Sequence, residues 1–215
     1  MRNSILVGVM LWAIDAQAQE LVVPEPSPQA AVEQTVGVTR LLVTYHRPAV
    51  AGRKVWGDLV TYGEPWRAGA NENTTLTVST PIKVGGKTLV AGTYGLQMIP
   101  TEKQWTLILS NVSSAWGSYG YDSKEDAVRL TATPQSDAFE ERLSYRFDDL
   151  TDTSTTLTLR WEKLKIGFKI DVDTTANVMA SMRAELRGKA HRATPSARAR
   201  EFVRVTSYWR FSIFA

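Results

Sequence analysis

The chain has no cysteine and only two histidines among its 215 residues. Missing thiols exclude disulfides, thiolate metal sites, cysteine nucleophiles and the lipidated cysteine of a lipoprotein. With His46 in a strand-like stretch and His191 near the end, a Ser-His-Asp arrangement or a His-rich zinc site has little material. The patterns G-x-S-x-G, G-x-x-x-x-G-K-[ST] and H-E-x-x-H are also absent, which removes the usual nucleophile elbow, phosphate loop and metalloprotease helix. The apolar run from Ile5 to Ile14 stops at ten residues, about half of the ~20 that cross a bilayer. Charge of one sign is scarce in the body. Residues 29–173 carry 16 Lys/Arg against 17 Asp/Glu, whereas 176–215 carry eight against two. The overall excess of three positive charges therefore belongs to the tail, and the main domain has no basic surplus for nucleic acid.

Several segments can be assigned by composition. Arg2, the Ile5–Ile14 run and Ala16-Gln17-Ala18 predict a secretory signal peptide over 1–18. The mature chain is then exported, periplasmic or extracellular, without a transmembrane segment. Residues 19–28, with Pro24, Pro26 and Pro28, read as an extended linker. From 29 to 173 the apolar residues alternate: Trp105, Leu107 and Leu109; Leu143, Tyr145 and Phe147; Leu157, Leu159 and Trp161; Ile166, Phe168 and Ile170. That period of two marks strands with one packed and one wet face, the antiparallel case. Gly85-Gly86 supplies a two-residue hairpin turn.

About nine strands are predicted: 31–36, 38–46, 74–80, 82–90, 93–99, 104–110, 127–133, 141–148 and 155–172, the last breaking near Glu162-Lys163. Each buries only one face, so two sheets must cover each other. The predicted class is all-β, an antiparallel β-sandwich, with a closed barrel as the alternative. A short helix over 174–188 follows, capped by Asp173-Thr174, with Val178, Met179, Met182 and Leu186 at helical spacing. Residues 189–215 are basic and aromatic without periodicity, and read as a disordered end.

The segment 45–73 breaks the alternation. It holds Tyr45-His46-Arg47-Pro48, Gly52-Arg53-Lys54-Val55-Trp56-Gly57 and Trp66-Arg67-Ala68-Gly69-Ala70-Asn71-Glu72. Ala91-Gly92-Thr93-Tyr94-Gly95-Leu96 and Ile99-Pro100 follow, then Trp105, Trp116-Gly117, Tyr121-Asp122, Asp126 and Leu159-Arg160-Trp161-Glu162. With these motifs the chain, over about 30–173, resembles the domain-of-unknown-function family numbered 2911. The resemblance implies an exported, mostly bacterial, all-β protein, and it carries no established activity or catalytic residue. The family pattern has a small residue where His46 stands, which speaks against a catalytic role for it.

Two classes of function are consistent with the block. Arg47, Arg53 and Arg67 can offer planar fork donors to carboxylates or phosphates, with Asn71 and Glu72 beside them. Trp56, Trp66, Trp116, Tyr119 and Tyr121, together with Asp122, can line a shallow site for a sugar ring. The leading expectation is non-catalytic recognition of a glycan or another cell-envelope component, with no cofactor and no metal. The alternative is a carboxylate-dependent, glycosidase-like hydrolase pairing Glu72 with Glu64, Asp122 or Glu162. A purely structural envelope module is also open, with Arg67 paired to Glu72 or Glu162 and the tryptophans filling the core. The acidic turn Tyr121–Asp126 lacks the spacing of a calcium loop.

Overall fold

The computed structural model describes residues 23–188. The predicted leader (1–18) and the basic tail (189–215) lie outside the described residues. In chain order the elements are β1 (Gln29–Val36), β2 (Thr39–His46), β3 (Thr75–Val78), β4 (Ile82–Val84), β5 (Lys87–Leu89) and β6 (Gly92–Ile99). Then follow β7 (Trp105–Ser110), β8 (Asp126–Ala132), β9 (Gln135–Asp148), β10 (Ser154–Asp171) and α1 (Thr174–Gly188). β1-β2-β3-β6-β7-β8 form one antiparallel sheet and β5-β4-β10-β9 a second. Ten strands in two open sheets make a sandwich and not a barrel.

The two inner faces share one core. Leu41, Val43, Leu76, Leu96, Met98, Leu107 and Leu109 of the larger sheet face Leu143, Leu157, Leu159, Ile166 and Ile170 of the smaller. Tyr45 on β2 meets Tyr145 on β9 edge-on, with ring centroids 4.8 Å apart. Burial pushes the Tyr145 phenol well above its usual range; the neighbouring Tyr45 adds to the rise and the Thr74 hydroxyl opposes it. The alternation in the sequence is thus the alternation between core and solvent. Gly85 and Gly86 both take positive φ (57° and 80°) in the β4–β5 turn, as a twist-matched two-residue hairpin requires.

Three elements differ from the sequence reading. The stretch 82–90, counted as one strand, is the pair β4 and β5 folded about the Gly85-Gly86 turn. β9 starts at Gln135 rather than 141, because Gln135–Arg142 is largely exposed on both faces and its two apolar residues, Ala138 and Phe139, are adjacent and give no period-two signal. β10 is continuous but sharply bent. Glu162 sits at φ 57°, and the ladder with β9 slips on either side of it. Beyond the bend Val172 N–H donates to Thr153 O at 2.7 Å, so the ends of the strand lie side by side.

Helix α1 is capped as expected, with Asp173 Oδ1 accepting from Ala176 N–H at 2.9 Å. What anchors it is a polar residue. Buried Asn177 donates through Nδ2 to the Thr80 hydroxyl (2.9 Å) and the Thr39 hydroxyl (3.3 Å). The apolar stripe leaves Met179 and Leu186 exposed.

Candidate functional site

The long β2–β3 connection closes the sandwich by pairing with both sheets. Val50 N–H donates to Glu141 O (2.8 Å) and Leu143 N–H to Pro48 O (3.1 Å), which ties its start to β9. Further on, Trp66 and Met98 exchange backbone hydrogen bonds at 2.7 and 2.8 Å, which ties its end to β6. Between these anchors the chain folds Trp56 and Trp66 inward onto Trp105 and Trp161. Trp56 lies edge-on to the other three at 4.8–5.8 Å, and Trp66 stacks on Trp161 at 6.0 Å. Trp105 and Trp161 are each 1% exposed. The four rings are a packed junction between the sheets, and such aromatic pairs add to burial energy.

The W-R-x-G-A-N-E segment is held by its backbone. Ala68, at φ 51°, presents its carbonyl to the Tyr145 hydroxyl (2.8 Å) and the Thr74 hydroxyl (3.1 Å). Gly69 O accepts from Trp66 Nε1 at 3.1 Å. A Cβ at Gly69 would come within 2.6 Å of Thr74 Oγ1, so only glycine fits. Asn71, at φ 55°, donates through Nδ2 to Glu25 Oε2 (3.2 Å) and Ser27 O (3.4 Å). Glu72 Oε2 lies 3.3 Å from Nε2 of buried His46, and Glu25 Oε2 lies 3.6 Å from the same nitrogen. With Arg142 Nη1 donating to Pro26 O (3.2 Å), these residues strap the amino-terminal segment across this end of the sheet.

The β7–β8 connection, residues 111–125, docks on the same segment. Asn73 N–H donates to Ala115 O at 3.1 Å, and Glu72 and Trp116 form an antiparallel bridge. Trp116 and Tyr119 remain 62% and 90% exposed. Between them Gly117 takes φ 71°. A Cβ there would collide with Arg67 Nη1 and come within 3.1 Å of the Tyr119 ring. The guanidinium and the ring therefore lie next to each other over one glycine. A cleft of about 290 Å³ opens at this point, lined by Glu64, Pro65, Trp66, Arg67, Ser118 and Tyr119.

The three arginines differ in what they have left to offer. Arg47 donates through Nε to Leu143 O (2.9 Å). Arg53 donates to Val50 O (3.1 Å) and Ala49 O (2.6 Å). Both staple the connection to itself and to β9. Arg67 is half-buried, its Nε is closed off from solvent without a partner, and it makes no ion pair among the described residues. The pairing of Arg67 with Glu72 or Glu162, open in the sequence, is not formed. Ser118 Oγ, also on the cleft wall, is buried and unpartnered as well.

The structure gathers Glu64, Trp66, Arg67 and Tyr119 around one cleft, with Trp116 on the same loop. It places Trp56 in the aromatic junction and Asn71 and Glu72 on the strap. Tyr121 and Asp122 brace the far end of the loop. The Tyr121 hydroxyl donates to Asp126 (2.9 Å) and accepts from Arg129 Nη1 (3.0 Å). Burial and the Asp126 carboxylate raise the Tyr121 pKa, and Arg129 opposes them. Asp122 Oδ1 accepts from Lys124 N–H at 3.0 Å. Among the described residues, Glu64 is the only carboxylate lining the cleft. Ser118 was not singled out in the sequence; only its position two residues after Trp116 points to it.

A larger groove, about 460 Å³, runs along the outer face of the smaller sheet beside Thr156, Thr158, Arg160 and Lys165. Both terminal nitrogens of its arginine are taken, Arg160 Nη1 by Asp137 (2.5 Å) and Nη2 by Asp148 (3.1 Å), while its Nε is buried without a partner among the described residues. That network joins β9 to β10 and leaves no free fork for a ligand.

The family model that matches the chain covers residues 27–170 and is described as a protein of unknown function (DUF2911). No curated protein and no solved structure matches it.

Proposed function

We propose that this chain, which belongs to the DUF2911 family, is an exported, non-catalytic receptor for a cell-envelope glycan, held in the cleft between residues 64–67 and 117–119. The observation that carries this reading is the state of Arg67. Among the described residues it is the one arginine of the motif block with no partner, and it stands beside a ring that is 90% exposed. Aromatic faces take up the C–H faces of pyranose rings, and guanidinium donors take up sugar oxygens. The junction of four tryptophans behind the cleft fixes Trp66, and the Ala68 and Gly69 anchors fix Arg67, so the site is largely preformed. Export through the 1–18 leader would deliver it to such ligands. The hydrolase alternative needs two carboxylates facing one substrate, and among the described residues Glu64 is the one carboxylate on the cleft.

Binding of the full-length chain and of Tyr119→Ala to a glycan array tests the reading. Saturable binding to one glycan class, lost in Tyr119→Ala with an unchanged melting temperature, is the expected result. Retention of all binding by the variant would overturn it, as would the absence of binding across the array.

A further inference from the structure

The separation of charges inside the cleft narrows the ligand. Arg67 and Glu64 line the same 290 Å³ space yet form no ion pair with each other, so each faces the cleft unneutralised. A half-buried guanidinium without a counter-ion is an unfavourable arrangement in an empty site. It becomes favourable when a ligand brings the missing oxyanion. Among the described residues nothing lines the cleft with a second cation; Ser118 supplies a hydroxyl and Trp66 and Tyr119 supply rings.

We propose, resting on the glycan reading above, that the ligand is an acidic sugar whose carboxylate pairs with Arg67 while its hydroxyls donate to Glu64 and its ring lies against Tyr119. A monoanion suits one arginine opposed by one carboxylate. A phosphate dianion meets the same single cation and a stronger repulsion from Glu64, so the carboxylate is the matching anion. The planar fork fits both oxygens of a carboxylate at once, which a lysine ammonium does not. The cleft is at the small end of the ~300–1,000 Å³ range of ligand sites, which corresponds to a single sugar residue at the chain end or within an open groove.

The test compares a galacturonate oligosaccharide, its methyl ester and inorganic phosphate, titrated calorimetrically into the full chain and into Arg67→Gln and Arg67→Lys. The free acid is expected to bind about tenfold or more tighter than the ester, as a charge-assisted pair should. That preference should vanish in Arg67→Gln and return only in part in Arg67→Lys. Melting curves of both variants show whether the fold is intact. Equal binding of acid and ester overturns the carboxylate assignment and leaves the glycan reading standing. Displacement of the oligosaccharide by phosphate at lower concentration than by the free uronate monomer overturns it in favour of a phosphorylated ligand. No binding of either oligosaccharide overturns it too, and an array that is also blank removes the glycan reading with it.

Discussion

Gly117 and Gly69 show how single residues shape the cleft. At φ 71° an alanine at 117 carries left-handed strain of about 1–2 kcal/mol, and its methyl group would push Arg67 Nη1 aside. Gly117→Ala should therefore lower the melting temperature by several degrees and weaken ligand binding further than the stability loss explains. Calorimetric melting and titration measured together separate the two effects; unchanged binding would mean that Arg67 does not face the ligand. Trp161→Ala should cost about 3–5 kcal/mol, since it opens a cavity in a ring junction that cannot collapse, which a denaturant midpoint reads directly. Trp105 and Trp161 were legible as core residues because they keep phase with Leu107 and Leu159. Trp56 and Trp66 were not, because they enter the same core from a connection that has no period.

Element by element, legibility followed the alternation of apolar residues. β2 alternates in burial as well, whereas β6 and β7 are buried on both faces over most of their length yet keep the period of two through Tyr94, Leu96 and Met98 and through Trp105, Leu107 and Leu109. The first half of β9 is largely exposed on both sides, with Ala138 and Phe139 adjacent rather than alternating, so nothing in it announces a strand. The break near Glu162-Lys163 was visible as a change of register in the apolar residues, whereas the doubling-back of β10 depends on a backbone angle that residue types do not encode. Glu162 holds that angle, φ 57°, without being a glycine. Glu162→Gly should raise stability by about 0.5 kcal/mol, the relief of left-handed strain exceeding the extra chain entropy of glycine. A small rise in the urea midpoint with an unchanged slope is the expected reading, and a fall would mean that the Glu162 side chain itself holds the bend. At the helix, Asp173→Ala should remove about 1 kcal/mol of capping, seen as a loss of helical circular dichroism while the sheet signal persists.

Across the whole molecule, the two arginine sites differ in how far the guanidinium is tied into the fold: Arg160 is paired with two aspartates, and Arg67 makes no ion pair among the described residues. The candidate cleft was half legible. W-R-x-G-A-N-E drew attention to Arg67, but no sequence pattern distinguishes it from Arg47 and Arg53, whose donors go to carbonyls nearly a hundred and only a few residues away. Arg160 was equally opaque, since its acids lie at positions 137 and 148. Burial pushes the Asp148 carboxyl upward, but the Thr158 hydroxyl, the hydrogen bond from Arg160 and the Arg160 and Arg146 charges outweigh it, and the net pKa falls below the usual aspartate value. A carboxyl whose pKa is lower in the folded state binds fewer protons there than in the unfolded chain, so it favours folding while ionised. Its contribution is complete above the ordinary aspartate range near ~3.9 and is lost as pH falls through the lowered folded value. Stability measured by urea unfolding between pH 6 and pH 2 should thus decline most steeply below about 4. In Asp148→Asn the decline below that point should be shallower, with lower stability at pH 6. An acid limb of unchanged steepness in Asp148→Asn would place the acid-sensitive link elsewhere than at the Arg160 network between β9 and β10.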